Sequence, residues 1–330
     1  MKYVSIRWFF ACCVGVLGVC IAAIDLKAQS YPSKPIRYIV PFPAGGSPDI
    51  VGRLVSDRLS RPALLAQQVV VDNRSGAGGT VGAAIAARST ADGYTLFQCN
   101  IASNAIAPSL YSKLGYDVLR DFSPISLIGS TSSALVVYPG QPFNSLGELI
   151  RYAKQNPGKL SYGSSGNGTS PHLSMELFKT MAKVDIVHIA YRGAAPALAD
   201  LMGGQVPVAM SNIPAVIAPA QSGRMRVLAV TGLKRSIQIP LAPTMIESGL
   251  EGYYVSSWYG VCAPAGIPTP VLDTLHSQVS RVLHMPDVVQ RLTDLVIDVT
   301  PNGPVEFSAF IRSETRRWAQ VAHDAGLSAQ

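Results

Sequence analysis

The chain contains 330 residues, of which 48% are hydrophobic and only 14% are charged, and its formal net charge is +7 at pH 7. A chain of this length and composition can bury two cores of ordinary domain size, which excludes a disordered protein. The positive surplus is moderate and comes without runs of Lys and Arg interleaved with aromatic residues, so we expect anionic small molecules rather than nucleic acid as partners.

The first 28 residues have the pattern of a secretory signal peptide. Lys2 and Arg7 give a positive start, and Trp8 to Ile24 form a continuous apolar run of 17 residues. A small residue precedes Gln29, so we expect cleavage there; an uncleaved membrane anchor is the alternative, although the run is short for a span. Cleavage would leave 24 basic and 19 acidic residues, a net charge of +5, in a soluble periplasmic protein.

Three of the five cysteines fall within the predicted signal peptide. The other two, Cys99 and Cys262, lie on separate predicted strands. Two cysteines cannot form a disulfide framework, and the sequence does not show whether they lie close enough to pair. We expect both to be small buried hydrophobic residues.

The first predicted unit is a strand, a glycine loop and a helix. Ile36 to Val40 form a short apolar run that two prolines end. Glycines then allow a sharp turn, Ser47 is the predicted N-cap, Pro48 suits the first helical position, and a helix covers residues 49–61. The backbone N–H groups of such a loop suit a small anion, whereas the plain alternative is a turn that only connects strand to helix. The candidate binding residues are Ala44, Gly45, Gly46, Ser47 and Asp49.

Two further units of the same kind follow, with helices predicted over residues 83–88 and 105–110. The second strand, Val69 to Val71, leads into a glycine-rich loop whose spacing is faintly typical of dinucleotide binding. The acidic residue that such a site needs about 20 positions later is missing, because the third strand, Tyr94 to Cys99, ends in Asn100. We therefore expect no nucleotide cofactor. Asn100 and Ser103, in the polar loop after this strand, are candidate binding residues.

Three strand and helix units in a row predict a mostly parallel sheet with helices on both faces. Strand-like runs at Ile125–Ile128 and Ala134–Tyr138 indicate a first crossing between two domains, and the alternating segment Tyr253–Ala263 indicates the second. Between them, Leu146–Gln155 is an amphipathic helix capped by Ser145. The tail is predicted to be helical over residues 270–284, 288–295 and 304–325.

The second domain repeats the opening arrangement after residue 160. A strand ends in a loop of glycine and hydroxyl residues, with Ser170 as predicted N-cap and Pro171 at the first helical position. His172, in the first turn, either donates to an anion or is an ordinary surface residue. A nucleophilic serine is not indicated, because the Gly-x-Ser-x-Gly elbow is absent. The candidate binding residues are Ser164, Ser165, Gly166, Gly168, Thr169 and His172.

Further candidates lie at the ends of later predicted strands. Arg192 follows the predicted buried strand Ile186–Tyr191, where it is either a carboxylate clamp or an exposed solubilising residue. Ser211 and Asn212 lie at the tip of a strand over residues 206–211, and another strand covers residues 227–231. Trp258 and Tyr259, on the second crossing, are expected near the cleft, where they would stack on a ligand or simply pack. The histidines have no metal-ligand spacing, so we expect neither a metal nor a catalytic base.

Several motifs, taken in order, resemble one family of binding proteins. They include Pro41-Phe-Pro-Ala-Gly-Gly-Ser-Pro-Asp49, Asn73-Arg-Ser-Gly-Ala-Gly-Gly79, Gly163-Ser-Ser-Gly-Asn-Gly-Thr-Ser170 and Tyr191-Arg-Gly-Ala-Ala-Pro196. Over essentially its whole mature length, the chain resembles a Bug-type periplasmic solute receptor, the extracytoplasmic binding subunit associated with tripartite tricarboxylate transporters.

That resemblance implies an α/β fold of two lobes, the type II periplasmic-binding-protein or Venus flytrap fold, with two crossover strands. Lobe I would contain residues 29–127 and 256–330, and lobe II residues 128–255. The resemblance implies a monomeric receptor rather than an enzyme, without a cofactor, that closes on a carboxylated organic solute and delivers it to a membrane permease. The loops at Ala44 to Asp49 and at Ser164 to Thr169, with His172, would grip the ligand carboxylate, partly through bridging water.

Two departures from the family pattern bear on the ligand. Ala44 and Pro48 alter the first loop without removing its donors. Ser211 stands where the pattern has Asp before Asn, which removes a partner for a ligand amine or hydroxyl, so an aromatic or aliphatic carboxylate is favoured over an acidic amino acid. Two alternatives stay open: a periplasmic enzyme that uses the glycine loops for an anionic substrate or cofactor, and a ligand sensor that acts on a signalling partner.

Overall fold

A computed structural model describes residues 31–327, so the predicted signal peptide and its cleavage site lie outside the described residues. The elements, in chain order, are β1 (Ile36–Val40), α1 (Ser47–Leu59), β2 (Val69–Asn73), α2 (Thr80–Ala87), β3 (Thr95–Asn100), α3 (Ala107–Leu110), β4 (Phe122–Val137), α4 (Leu146–Gln155), β5 (Ser161–Ser164), α5 (Ser170–Ala182), β6 (Val187–Ala190), α6 (Ala194–Met202), β7 (Val208–Asn212), α7 (Ile213–Gln221), β8 (Arg226–Val230), β9 (Ser256–Pro264), α8 (Thr269–Leu283), α9 (Pro286–Asp294), β10 (Asp298–Val299) and α10 (Pro304–Asp324). A 3₁₀ turn at Ala77–Gly79 precedes α2, and a π-helical turn at Ala102–Ile106 precedes α3.

The first lobe is built on a sheet with the strand order β2-β1-β3-β9-β4. β1 pairs in parallel with β2 and β3, whereas β9 runs antiparallel between β3 and β4. α1 buries Val51, Val55 and Leu59, which lie four residues apart on one face of the helix. Each of these side chains contributes roughly 1.5–3 kcal/mol on burial, so the apolar stripe fixes α1 against the sheet. The carboxyl ends of β1 and β3 therefore open beside the amino end of α1.

The second lobe has a sheet with the order β4-β7-β5-β6, and β8 also pairs with β4. β5 is parallel to β6 and β7, while β4 is antiparallel to β7 and β8. α4 begins as predicted, because Ser145 Oγ accepts a hydrogen bond from the Glu148 N–H at 3.3 Å. This lobe presents the amino ends of α5, α6 and α7 toward the first lobe.

β4 joins the two lobes as one continuous strand, whereas the sequence predicts two separate runs. Its first part, Phe122–Ser132, pairs with β9, and its last part, Ser133–Val137, pairs with β7. The polar stretch that interrupts the apolar pattern is where the strand leaves one sheet for the other. β9 is the second crossover strand, so the two-lobed α/β fold is confirmed. The lobe boundaries after residues 127 and 255 stay a prediction.

One predicted feature of an element is wrong, and two elements were not predicted. The β6 strand is not buried: Val187 is 49% exposed and Ile189 is 37% exposed, since β6 ends its sheet and pairs on one side only. α7 and β10 have no counterpart in the predicted elements; α7 contains Pro219 in its interior, which is a poor helix signal.

The two predicted serine N-caps are also wrong. Gly46 is the N-cap of α1 and Thr169 that of α5, so Ser47 and Ser170 are instead the first residues of their helices. In α1 the Asp49 carboxylate receives the Gly45 N–H at 2.9 Å, which replaces a serine cap. In α5 the Thr169 hydroxyl is bonded within its own loop.

Cys99 and Cys262 form a disulfide between β3 and β9, with their Cα atoms 5.8 Å apart. Both residues are fully buried, as predicted, but they are a covalent bridge rather than two separate hydrophobic side chains. The two strands are neighbours only because β9 returns from the second lobe, which the local sequence pattern does not reveal. The bridge therefore ties the second crossover strand to the sheet of the first lobe.

Candidate functional site

A cleft of about 510 Å³ lies between the two lobes. Both lobes and the crossover strand β9 contribute to its walls. From the first lobe and β9 the lining residues are Phe42, Pro43, Ala44, Gly45, Gly46, Ser47, Pro48, Ile50, Asn100, Ile101, Ala102, Ser257 and Tyr259. From the second lobe they are Ser165, Thr169, Ser170, Pro171, Arg192, Gly193, Ala194, Ala195, Pro196, Leu198, Met202, Ser211, Asn212, Pro214, Ala215 and Pro219.

Four helices point their amino ends into this cleft: α1 from the first lobe and α5, α6 and α7 from the second. Each supplies lining residues from its first turn. The first N–H groups of a helix have no partner within the helix, and the helix dipole places partial positive charge there. The backbone therefore makes the cleft a favourable place for an anion before any side chain is considered.

Six prolines line the cleft, and three of them, Pro48, Pro171 and Pro214, are the second residue of a helix. A proline ring fixes φ near −65°, so these helix starts have little backbone freedom to lose when a ligand binds. Their apolar rings, with Leu198 and Met202, cover most of the remaining wall. The cleft thus combines fixed backbone donors with surfaces suited to the hydrocarbon part of a ligand.

Among the described residues that line the cleft, Arg192 alone carries a charge. It lies just before α6, its side chain is exposed, and no carboxylate in residues 31–327 pairs with it. A guanidinium without an acidic partner is available for a bidentate bond to a ligand carboxylate. The cleft wall therefore has a net positive charge.

The loop before α1 is held by Asp49, which is 3% exposed and lies outside the cleft lining. Its carboxylate accepts hydrogen bonds from the Gly45 N–H at 2.9 Å, Arg53 Nε at 3.0 Å and Asn73 Nδ2 at 2.9 Å. Asn73 Nδ2 also donates to the Phe42 carbonyl at 2.9 Å. Burial by itself would raise the pKa of Asp49, but these hydrogen bonds and the nearby guanidinium lower it, so the group stays ionised. Asp49 positions the loop, in contrast to the direct ligand contact that the sequence predicts.

Asn212 organises the base of the cleft. Its Oδ1 accepts hydrogen bonds from Ser133 Oγ at 2.9 Å and Ser257 Oγ at 3.0 Å, and its Nδ2 donates to Tyr259 Oη at 3.2 Å. Ser257 Oγ also lies 2.7 Å from Ser170 Oγ. This network joins both crossover strands to the start of α5, so the polar base depends on the relative position of the two lobes.

Tyr259 lines the cleft, near which the sequence places it, and it is a candidate ligand donor. Its Oη accepts the bond from Asn212, and within residues 31–327 no acceptor receives its own O–H hydrogen. Burial raises the pKa of this phenol, so it remains protonated at neutral pH and can donate into the cleft. Ser211 Oγ, beside Asn212, is also buried without a partner among the described residues.

Of the two alternatives left open for Trp258, the structure shows packing, because the residue is 1% exposed and outside the cleft lining. Its indole packs edge-on against Phe307 and Phe310 of α10, and its Nε1 donates to Glu314 Oε2 at 3.2 Å. Adjacent residues of a strand face opposite sides of the sheet, so Tyr259 faces the cleft while Trp258 faces the core. The sequence alone placed both residues near the cleft.

Only some of the candidate residues in and beside the hydroxyl loop of lobe II line the cleft. Ser165 and Thr169 line the cleft, whereas Ser164, Gly166, Gly168 and His172 lie behind it. Ser164 Oγ is 2.7 Å from His188 Nε2, and His172 Nδ1 accepts the Gly168 N–H at 3.2 Å. These contacts fix the loop from behind, where the sequence predicts ligand contacts.

The two histidines behind this loop stack with ring centroids 4.2 Å apart. Burial, together with the charges of His172 and Lys179, lowers the pKa of His188 to about 3. Burial likewise lowers the pKa of His172. Both rings are therefore neutral at pH 7, and His172 serves as a hydrogen-bond acceptor for the loop rather than as a donor to an anion.

Ser103 is the remaining candidate outside the cleft lining. Its Oγ accepts from Asn100 Nδ2 at 2.9 Å and donates to Asn104 Oδ1 at 2.7 Å. Asn100 does line the cleft, and its Oδ1 receives the N–H groups of Ala102 and Ser103. Ser103 thus orients Asn100 at the end of β3.

Ten of the predicted binding residues do line the cleft together, although direct ligand contact stays a prediction for each. They are Ala44, Gly45, Gly46, Ser47, Asn100, Ser165, Thr169, Arg192, Ser211 and Asn212. In residues 31–327 no three His, Cys, Asp or Glu side chains are grouped so that they could hold a metal ion. Every helix in the same range is too short or too polar to cross a membrane.

Comparisons with known proteins agree on one family. A family model described as the tripartite tricarboxylate transporter family receptor matches residues 51–327. Protein BugT of Bordetella pertussis is 36% identical over 318 residues, which cover 95% of this chain and 97% of BugT.

Solved structures give the same result. A protein of R. palustris solved with adipate is 36% identical, with a TM-score of 0.87, and the match covers 91% of this chain and 100% of that one. MatC from Rhodopseudomonas palustris, solved with bound malate, is 31% identical, with a TM-score of 0.83, over 88% of this chain and 99% of MatC.

Proposed function

The chain belongs to the tripartite tricarboxylate transporter family of receptors, and on that premise we propose that it captures a small dicarboxylate between its lobes and delivers it to a membrane permease. The family consists of solute receptors rather than enzymes. Two similar structures carry adipate and malate, both of them small dicarboxylates.

The observation that carries the proposal is the charge of the cleft. Four helix amino ends and the unpaired Arg192 face it, and none of the described lining residues is acidic. An anionic head group gains from the helix ends, while a ligand ammonium would find no carboxylate partner. A dicarboxylate without an amine therefore fits better than an acidic amino acid, in line with Ser211 replacing an acidic residue of the family pattern.

In the proposed binding mode, one ligand carboxylate contacts the loop Gly45–Ser47 and the hydroxyls of Ser165 and Thr169. Arg192 holds the second carboxylate, and the proline-lined walls pack on the chain between them. Tyr259 and Asn212 donate from the base of the cleft. Because the donors come from both lobes, a bound ligand favours the closed arrangement of the cleft.

We further propose that the mature chain begins at Gln29, is periplasmic and acts as a monomer. The pattern of residues 1–28 supports export. The disulfide between Cys99 and Cys262 supports an oxidising compartment, because such bridges rarely persist in the cytosol.

Thermal unfolding of the mature chain with adipate, malate, glutamate or no ligand tests the proposal. A ligand present at 100 times its Kd stabilises the folded state by about 2.7 kcal/mol, so adipate or malate should raise Tm by several degrees and glutamate should have less effect. Chromatography should recover the bound acid chemically unchanged. A larger shift with glutamate would refute the assigned ligand class, and a reaction product would refute the receptor function.

Arg192→Gln tests the clamp, with Arg151→Gln on the same lobe as its control. Losing a charge-assisted bond of about 1.5–3 kcal/mol should weaken dicarboxylate binding by roughly ten- to a hundredfold. Arg151 is exposed on α4 and does not line the cleft, so its variant should bind as the unaltered protein does. Equal affinities for the two variants, measured by titration calorimetry with adipate, would remove Arg192 from the site.

A further inference from the structure

Two glycine loops from opposite lobes meet outside the ligand cleft. We name Gly76–Gly79 the lobe I glycine loop and Gly166–Gly168 the lobe II glycine loop. A Cβ atom added at Gly78 would lie 2.9 Å from the Asn167 carbonyl oxygen and 3.6 Å from the Gly168 carbonyl carbon. Neither loop contributes to the cleft lining. The contact is therefore one of backbone against backbone, and it leaves no room for a side chain.

Each loop has a defined backbone conformation where the two meet. Gly78 and Gly168 have φ values of +63° and +71°, which favour glycine. The Gly79 N–H donates to the Gly76 carbonyl at 2.9 Å, and the Gly168 N–H donates to His172 Nδ1 at 3.2 Å. The two surfaces are thus already shaped within their own lobes.

The lobe II glycine loop is also flanked by the end of α3 in lobe I. A Cβ at Gly168 would lie 3.4 Å from Leu110 Cδ1 and 3.4 Å from Tyr111 Oη. Across the cleft, a Cβ at Gly193 would lie 3.9 Å from Pro43 Cγ. The lobes therefore approach closely in two places. The first lies outside the cleft lining, directly beside Ser165 and Thr169, which do line the cleft.

We propose that the lobe I and lobe II glycine loops form a closure latch, an interlobe contact that stabilises the closed cleft whichever acid is bound. Only the ligand-binding measurements that test this proposal depend on the proposed function. Rotation of the lobes about β4 and β9 would separate the two loops, so the contact belongs to the closed state. A protein whose closed state is less populated binds more weakly in proportion and releases ligand faster. The absence of a side chain at position 78 thereby sets the residence time of the ligand.

Gly78→Ala tests the latch, and Gly223→Ala is its matched control. Gly223 has φ +71° and no heavy atom within 4 Å of an added Cβ, so its variant carries similar backbone strain without an interlobe clash. Both variants should therefore lose similar stability. Gly78→Ala alone should bind adipate about tenfold more weakly, mainly through a faster dissociation rate in stopped-flow measurements, and should have the larger radius of gyration in X-ray scattering.

The ligand-free scattering comparison tests the latch even if no carboxylate binds, which separates this proposal from the proposed function. Tyr111→Ala provides a second variant, because it removes one wall of the contact instead of crowding it, and it too should speed dissociation. Equal radii and equal dissociation rates for the Gly78 and Gly223 variants would overturn the latch. If the Gly78 variant failed to fold, a Tyr111→Ala variant that releases ligand at the wild-type rate would also overturn the latch.

Discussion

Asp49→Asn tests how the ligand loop before α1 is held in place. The Asp49 carboxylate accepts hydrogen bonds from Gly45, Arg53 and Asn73. Asparagine has nearly the same shape but only one acceptor oxygen, so its amide group must face one of these donors. A hydrogen bond to a charged group contributes about 1.5–3 kcal/mol, and we expect the free energy of unfolding at pH 7 to fall by about that amount.

The same substitution should weaken ligand binding although Asp49 does not line the cleft. Loss of the carboxylate charge weakens the bond from the Gly45 N–H, so the loop is held less firmly and part of it must be ordered during binding, which costs about 1–2 kcal/mol for each residue that had been fixed. One such residue corresponds to a loss of roughly five- to thirtyfold in affinity for adipate. Titration calorimetry measures the affinity, and hydrogen exchange at the Gly45 amide, which should accelerate, reports on the loop without any ligand.

The pH dependence of unfolding provides a further check. The pKa of Asp49 is lower in the folded protein than in the unfolded chain, so the carboxylate stabilises the fold above the unfolded value of about 3.9 and loses that effect as the pH falls through the folded value. The difference in unfolding free energy between wild type and Asp49→Asn should therefore be largest near neutral pH. It should shrink below about pH 4.

Asp57→Asn is the control on the same helix, since the Asp57 side chain is 66% exposed. Exposed substitutions of this kind change stability by about 0.5 kcal/mol or less, and we expect no change in affinity. If Asp49→Asn kept wild-type affinity and slow exchange at Gly45, the positioning role assigned to Asp49 would be refuted.

Tyr259→Phe should weaken adipate binding about two- to tenfold, as expected for one neutral hydrogen bond of about 0.5–1.5 kcal/mol, with calorimetry as the measurement; unchanged affinity would show that the phenol does not touch the ligand. Replacing both Cys99 and Cys262 by alanine should lower the free energy of unfolding by about 2–5 kcal/mol, because the bridge closes a long loop across 163 positions. Urea unfolding with and without reductant measures this loss, and a double variant as stable as the oxidised wild type would contradict it. The affinity for adipate should be retained, since neither cysteine lines the cleft.

The sequence was sufficient to predict the elements that have strong local signals. The apolar run at Ile36–Val40, the capped helix after Ser145 and the glycine loops at the ends of β1 and β5 all depend on neighbouring residues. Their order along the chain predicts strands that end at one edge, which is why ten of the candidate residues meet in the cleft.

Other features depend on contacts between distant segments, so the local pattern could not reveal them. Cys99 and Cys262 pair because β9 returns beside β3. Asp49 and His172 lie close to the binding loops in sequence, but their side chains do not line the cleft. Asp49 accepts a hydrogen bond from Asn73 Nδ2, and His172 accepts one from the Gly168 N–H. The choice between Trp258 and Tyr259 required knowing which face of β9 meets α10.

The convergence of helix amino ends has a consequence for how such receptors diverge. Main-chain N–H groups are present at every residue except proline, so substitutions in the cleft walls that avoid proline can alter the shape of the acid that fits while these donors are retained. Neighbours at 36% and 31% identity, solved with adipate and with malate, have the same overall fold as this chain. We therefore expect wall residues such as Leu198 and Met202 to influence which organic acid fits, while the backbone donors keep the cleft able to bind an anion.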